Sequence, residues 1–355
     1  MKTLVEDLLK NLNEREREVI KRRFGLENRE SETLESIAKD FGITRERVRQ
    51  IQNNALNKLI KIINENEKIT NFVENTKSFL EPLGFKEENR FYKILIQEKV
   101  VLEDEINYLK LVLTYHQKIY YHQEEEEIKS FYSKEKELAL FVKHILKKIN
   151  IYFLENYDKT FEEKEIFNII NQELKTHFGE IKDEELYEVL RILKFVYRDP
   201  FGKWGFISNP FIAPQSLKNK IISILETERR PMHFLEIHRK LEEITKIEEE
   251  FLHLNWKKKY SVESIKNELI KHPDFVLVGR GIYALKKWGF VEGTSFELIK
   301  NFILSKKELE LFELYEFIKN QRILKPTTFS IYLYRLQKEK FIEIKNGKII
   351  VLKNA

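Results

Sequence analysis

The sequence contains no cysteine, which excludes disulfides, thiolate metal sites and a cysteine nucleophile and suits a reducing cytosol. Proline is scarce at 7 and glycine amounts to only 11 of 355 residues, so no low-complexity linker divides the chain. No apolar run approaches the roughly 18 residues of a membrane span. Glu6 and Asp7 fall where a signal peptide needs its apolar stretch. These absences predict a soluble cytoplasmic protein with no membrane partner. Charge of one sign is also lacking: the net charge is +5 with 34% charged residues. The chain as a whole does not advertise nucleic-acid binding, and any contact with DNA has to come from a local cluster.

Apolar material is plentiful, with 42% hydrophobic and 12% aromatic residues, including 26 Phe and 15 Tyr. That is ample for packed cores, and the chain length points to several small modules rather than one large one. The one obvious charge run, Glu124 to Glu127, reads as a solvated helix face or loop.

The first sixty residues carry the sharpest pattern. Leu4, Leu8 and Leu12, then Val19, Ile20 and Phe24, recur at helical spacing, interrupted by Asn13 and Gly25. Thr33 is placed to cap a helix with Leu34, Ile37, Ala38 and Phe41 on its apolar face, and Gly42 offers a left-handed end. Thr44 can cap the next helix at once, with Val48, Ile51, Ala55, Leu56 and Leu59 inward. Two short helices joined by a tight glycine turn are a helix-turn-helix, whose second helix enters the major groove. The outward residues of that helix are Arg45, Glu46, Arg47, Arg49 and Gln50. Arginine can bond guanine, glutamine adenine, and glutamate can accept from cytosine.

The stretch from Leu12 to Leu59 resembles region 4 of the primary sigma factors of bacterial RNA polymerase. The pieces REREVIKRRFGL, TLESIAKDFGI and TRERVRQI carry the resemblance, in the family's order and near its spacing. It implies a helix that reads the −35 promoter element and a module that packs on the flap of the polymerase β subunit. By that resemblance Arg45, Glu46 and Gln50 touch bases, while Arg15, Arg23, Thr33, Leu34, Lys39, Thr44, Arg47 and Arg49 lie near the phosphate backbone. The chain departs from the family after RQI: Gln52, Asn53 and Asn54 stand where Glu-x-Lys is usual, which removes a positive charge at Asn54. The regions of a sigma factor that bind the clamp and melt the −10 element would lie upstream. With region 4 starting near Met1, the chain is not expected to act as a full sigma factor.

Downstream, helices followed by short aromatic or glycine-containing strand pairs recur. Helices are predicted over Leu217–Leu225, Pro231–Leu241 and Val262–Ile270, followed by a hairpin around Gly279 and Gly281. This block, about 214–289, resembles the HARE-HTH domain, also found in the polymerase delta subunit, through RRPMHFLEIHRKL, SVESIKNELIKHPDFVLVGRGIYAL and KKWG. Upstream, helices over Phe161–Leu174 and Asp183–Phe195 lead into VYRDPFGKWGFIS, a similar wing with Gly202 and Gly205 at its bend. Downstream, helices over Phe296–Leu304, Leu309–Lys319 and Thr327–Glu339 precede a hairpin turning at Asn346-Gly347. Tyr332, Tyr334, Arg335 and Lys338 could line an exposed face there, for DNA or for a protein. Residues 65–134, with Gly84 and helical runs over Asn89–Gln97 and Leu102–Tyr115, read equally as a degenerate winged helix or a helical connector.

The expected fold is mainly α: a region 4-type helix-turn-helix over 1–64, the ambiguous segment 65–134, and tandem winged helices with small hairpin wings over 135–212, 213–292 and 293–355. No enzyme constellation is found. His233 with His238 and His116 with His122 match no zinc pattern, Gly279-Arg280-Gly281 belongs to no phosphate loop, and Trp204, Trp256 and Trp288 read as core. A non-enzymatic, cofactor-free transcription factor follows, with double-stranded DNA and RNA polymerase as partners and a place on the nucleoid. The alternatives are a polymerase-flap competitor of sigma with little DNA binding, and an accessory of a DNA restriction or modification system.

Overall fold

Leu4, Leu8 and their neighbours make α1 (Lys2–Leu9), with Val5, Leu8 and Leu9 buried. The computed structural model describes residues 1–27, 30–179, 181–248, 250–306 and 308–352. The chain divides into two units, Met1–Asn156 with Phe161–Val196, and Tyr157–Thr160 with Tyr197–Ala355.

In the first unit α1 is followed by α2 (Glu14–Phe24), α3 (Leu34–Phe41) and α4 (Arg45–Glu65). Asn13 opens α2 with a capping box: its side chain accepts from the Glu16 N–H, and Glu16 accepts from the Asn13 N–H in return. Thr33 and Thr44 cap α3 and α4 by accepting from Ser36 and Arg47. Gly25 and Gly42, at φ +63° and +62°, end the two shorter helices in the left-handed region. These five polar or glycine positions therefore cut the apolar pattern into the helices expected.

The 21 residues of α4 serve two cores. Its first half, Val48 and Ile51, joins Val19, Ile37 and Ala38 in a small cluster. Its second half, Ala55, Leu56, Leu59 and Ile63, enters a larger cluster that runs on through Ile69, Phe91, Tyr108 and Tyr132. Residues 65–134 are thus packed onto the helix-turn-helix. They form α5 (Glu67–Lys77), β1 (Phe85–Glu87), α6 (Glu88–Gln97), α7 (Ile106–Tyr115), β2 (Tyr120–His122) and β3 (Phe131–Ser133). β3 lies between β1 and β2, antiparallel to both, with Lys86 and Tyr121 each opposite Tyr132. The acidic run Glu124–Glu127 is the loop between β2 and β3, as expected, and Glu125 is held by Lys143. Lys143 lies on α8 (Lys136–Glu155).

Next in the chain come β4 (Thr160–Phe161), α9 (Glu163–Phe178), α10 (Asp183–Ile192), β5 (Val196–Arg198) and β6 (Trp204–Phe206). Two expectations need correction here. Phe161 ends a strand instead of opening a helix. Of the two glycines expected at the bend, only Gly202, at φ +94°, lies there. Gly205 sits inside β6, where an added Cβ would come 2.7 Å from Ile212 Cγ1, so the residue is glycine for packing and not for turning.

The second unit continues with α11 (Leu217–Glu228), β7 (Met232–His233), α12 (Phe234–Thr245), α13 (Val262–Lys271), β8 (Phe275–Gly279) and β9 (Ile282–Leu285). It ends with α14 (Ser295–Leu304), β10 (Glu308–Glu310), α15 (Leu311–Gln321), α16 (Pro326–Lys338), β11 (Ile342–Lys345) and β12 (Lys348–Val351). The helices expected from Pro231 and Leu309 instead begin at Phe234 and Leu311, because Met232–His233 and Glu308–Glu310 are strands. Each short strand pairs with the last strand of its block, giving the sheet orders β7-β9-β8 and β10-β12-β11. The sheet β1-β3-β2 has the same order. One succession of elements, helix, short strand, two helices and two strands, therefore recurs from α5, α8, α11 and α14 onward.

The first of these two blocks is closed by Trp256, fully buried, whose indole N–H donates to the Ile212 carbonyl at 2.9 Å. The two blocks are tied together as well. The Ile323 N–H donates to the Val278 carbonyl at 2.7 Å. Buried Arg322 donates to the carbonyls of Val291 and Gly293 at 2.6 and 2.8 Å. Among the described residues no helix is long and apolar enough to cross a membrane.

Candidate nucleic-acid interface

The geometry of the candidate surface follows from α4. Val48 and Ile51, 0% and 9% exposed, anchor its first two turns. Each buried aliphatic side chain of this size contributes about 1.5–3 kcal/mol, which fixes the rotation of the helix. Arg45, Glu46, Arg47, Arg49 and Gln50 are consequently all exposed on the opposite face.

These side chains are partly paired with one another. The Arg49 guanidinium donates from Nε and Nη2 to the Glu46 carboxylate, both at 2.8 Å. Arg47 Nη1 donates to Gln50 Oε1 at 3.1 Å. The hydrogen bonds from Arg49 hold the Glu46 carboxyl below its ordinary pKa, and the Arg49 guanidinium above its own. Both residues are fully solvated, so the pair orients side chains and adds little to stability. The more distant charge of Arg45 also helps to lower the Glu46 carboxyl.

Of the residues expected near phosphates, Arg15, Thr33, Lys39, Thr44, Arg47 and Arg49 are exposed, and Leu34 is half-buried at the start of α3. Leu34 qualifies through its backbone: the Thr33 hydroxyl takes the Ser36 N–H at 3.1 Å. The first N–H groups of the helix are left pointing outward, where an anion is favoured. Arg15 lies over the Phe41 ring, 5.4 Å from its centre. Arg23 is placed differently from the others. It is half-buried, donates to Gln52 Oε1 at 3.2 Å and also bonds the Glu32 carbonyl. Gln52, noted in the sequence only as a departure, thus positions Arg23.

Sequence reasoning passed over Arg22. Its guanidinium bonds both oxygens of Glu32, with Nε 2.7 Å from Oε1, and bonds Asp40 as well. It also lies 5.7 Å from the Phe41 ring centre. These bonds raise its pKa further, so it is permanently charged and acts as a clamp between α2 and α3. No local spacing announces such a residue, since its partners lie 10 and 18 positions away.

Among the described residues no group of three His, Cys, Asp or Glu side chains could hold a metal. His116 is buried against Thr70, 3.2 Å from its hydroxyl, and burial lowers its pKa. Trp204 and Trp256 are fully buried, and Trp288 is half-buried beside the same core as Trp256.

Comparison with known proteins bears on this surface directly. Residues 8–61 match the family model Sigma-70, region 4. Over 59 residues the chain is 51% identical to the RNA polymerase sigma factor SigA of a Bacillus species. That stretch is 17% of this chain and covers 16% of the relative's length. The chain carries a sigma-70 region 4 domain at its N-terminus, and this domain contains the exposed face of α4.

Proposed function

We propose that the protein is a transcription factor that works with bacterial RNA polymerase, recognising a −35-type promoter element through α4 and regulating initiation. The observation that carries the reading is the face of α4. Arg45, Glu46, Arg47, Arg49 and Gln50 stand exposed over two turns of a capped helix in a domain that matches sigma-70 region 4. Arg45, Glu46 and Gln50 read base edges, while the start of α3 with Lys39, Arg15 and Arg47 holds phosphates. Arg49 serves the backbone after releasing Glu46, and Arg23 through its bond to Gln52. The recurring blocks from α5 onward are read as tandem winged helices, the third of them resembling a HARE-HTH domain. They supply contacts along DNA or on polymerase, not catalysis, and the protein acts in the cytoplasm at the nucleoid.

A direct test is binding of the full chain to a −35-containing duplex and to a scrambled one. Arg45→Ala and Gln50→Ala should each remove about 1–3 kcal/mol of discrimination between them. About six phosphate contacts should give a logarithmic salt slope of roughly −5. Salt-insensitive binding with no preference lost in either variant would overturn the reading.

One observation favours a second reading, in which the domain occupies the polymerase β flap and competes with sigma. Much of the positive charge on the domain is already satisfied internally: Arg49 by Glu46, Arg22 by Glu32 and Asp40, and Lys58 by Glu16 at 2.7 Å. An open cleft of about 760 Å³ of mixed charge, lined by Asn13, Glu14, Arg15, Arg17, Glu18, Lys21 and Phe41, gives a partner protein a place to seat. On this reading the two variants co-purify with polymerase unchanged, including after nuclease treatment.

A further inference from the structure

The recurring succession of elements puts α7, α10, α13 and α16 in one equivalent place, directly before the closing strand pair of each block. Their outward faces differ in a way that selects one of them. α7 buries Tyr108, Leu109, Leu111, Val112 and Leu113 and has little face to offer. α10 opens with Asp183, Glu184 and Glu185, which repel a polyanion. α13 mixes Glu263 and Glu268 with Lys266 and Lys271. α16, PTTFSIYLYRLQK, contains no acidic residue at all.

We propose that α16 is a second DNA-contacting surface of this protein, separate from α4. The proposal rests on the reading of the chain as a DNA-binding protein. Phe329, Leu333 and Leu336 are the buried stripe of α16. Thr327, Ser330, Ile331, Tyr334 and Lys338 recur at three- and four-residue steps on the opposite side and are all exposed. Ile331 is 61% and Tyr334 67% exposed, apolar surface that suits thymine methyls and sugar edges. Lys325 and Lys338 mark the two ends, and among the described residues neither has an acidic partner. Pro326 opens the helix without an N–H and the Thr328 N–H donates to the Lys325 carbonyl at 2.9 Å, so the helix start adds no phosphate site of its own. Arg335 is occupied, 2.8 Å from Glu339 and over the Phe296 ring at 4.4 Å. The hairpin lysines are occupied too, Lys345 by Glu343 and Lys348 by Glu308. The contact therefore belongs to the helix and its flanking lysines. Lysine at both ends with no carboxylate on the face complements a phosphate backbone better than it complements a protein surface of mixed charge.

The test uses the full chain and fluorescent duplexes of about 30 base pairs, read by anisotropy across a salt series. Tyr334→Ala with Lys325→Ala and Lys338→Ala should weaken binding to any duplex about tenfold and flatten the logarithmic salt slope by about 2, one unit per lost phosphate. Tyr334→Phe with Lys338→Arg should keep the parent behaviour, which separates lost contact from lost folding. Arg45→Ala with Gln50→Ala should lose sequence preference and keep the part of the binding that the α16 substitutions abolish. DNA affinity and slope unchanged by the α16 substitutions, with binding to a protein partner lost instead, would overturn the proposal. So would an α4 variant that binds no DNA at all, an outcome that leaves the promoter reading of α4 standing. Loss of binding through α16 alone, with α4 substitutions silent, would support the second surface and remove the promoter reading.

Discussion

Glu46 lies one turn from Arg49 on α4 and takes both of its hydrogen bonds at 2.8 Å. An arginine expected at the backbone and a glutamate expected at a base are therefore bound to each other. Glu46→Ala should release Arg49, raise affinity for unrelated duplexes several-fold and erode discrimination. Anisotropy titrations against matched and scrambled duplexes check this, and a variant that weakens binding to both would contradict it. Arg49 holds the Glu46 carboxyl below its ordinary range, so the effect should be constant between pH 5.5 and pH 8.

Thr44 caps α4 by accepting from the Arg47 N–H at 3.2 Å. Thr44→Ala should cost about 1 kcal/mol, seen as a lower denaturation midpoint, while Thr44→Ser retains the cap. Equal stability in both variants would show that packing of Val48 and Ile51 holds the helix start unaided.

Asp199 is buried in the bend between β5 and β6, where its Oδ1 accepts from the backbone N–H groups of Phe201 and Lys203 at 2.9 and 2.8 Å. Burial outweighs those bonds and pushes its carboxyl up to about 6. A folded-state pKa above the unfolded one means that the carboxyl favours folding when protonated, and that this advantage is lost as pH rises through about 6. Stability should fall between pH 4 and pH 6.5 by about 2 kcal/mol and then level off. Asp199→Asn keeps both acceptor bonds and should abolish that fall, as urea denaturation at pH 5 and pH 7.5 would reveal.

Arg322, 3% exposed, ties the last block of the second unit to the segment that leads into it, through the Val291 and Gly293 carbonyls. Arg322→Ala leaves these acceptors unpaired and should cost about 2 kcal/mol. The loss should appear as faster amide hydrogen exchange at Ile323, whose N–H bonds Val278. Unchanged exchange at Ile323 would mean that the backbone bond alone holds the blocks together.

Much of the helix-turn-helix was legible because its determinants are local. A cap, a helical turn and a terminal glycine act within a few residues, and Asn13, Thr33, Gly42 and Thr44 behave as their chemistry dictates. The Asn346-Gly347 turn is equally local, both residues holding the positive φ that a tight hairpin requires. The strands Met232–His233 and Glu308–Glu310 were hidden for the opposite reason. Two or three residues carry no measurable period, and their pairing with Tyr283 and Ile349 crosses tens of positions.

The same division runs through the candidate surface. The amino-acid sequence by itself determined which residues α4 turns outward, because Val48 and Ile51 set its rotation through short-range periodicity. Only the tertiary structure decided how those residues are held. Arg23 leans on Gln52, and Arg22 is clamped by Glu32 and Asp40. Residues 65–134 close the core beneath α4, with the Glu27 N–H donating to the Tyr108 hydroxyl at 3.1 Å. These contacts join residues far apart in the chain, and side-chain hydrogen bonds over such separations exist only once packing has brought the partners together.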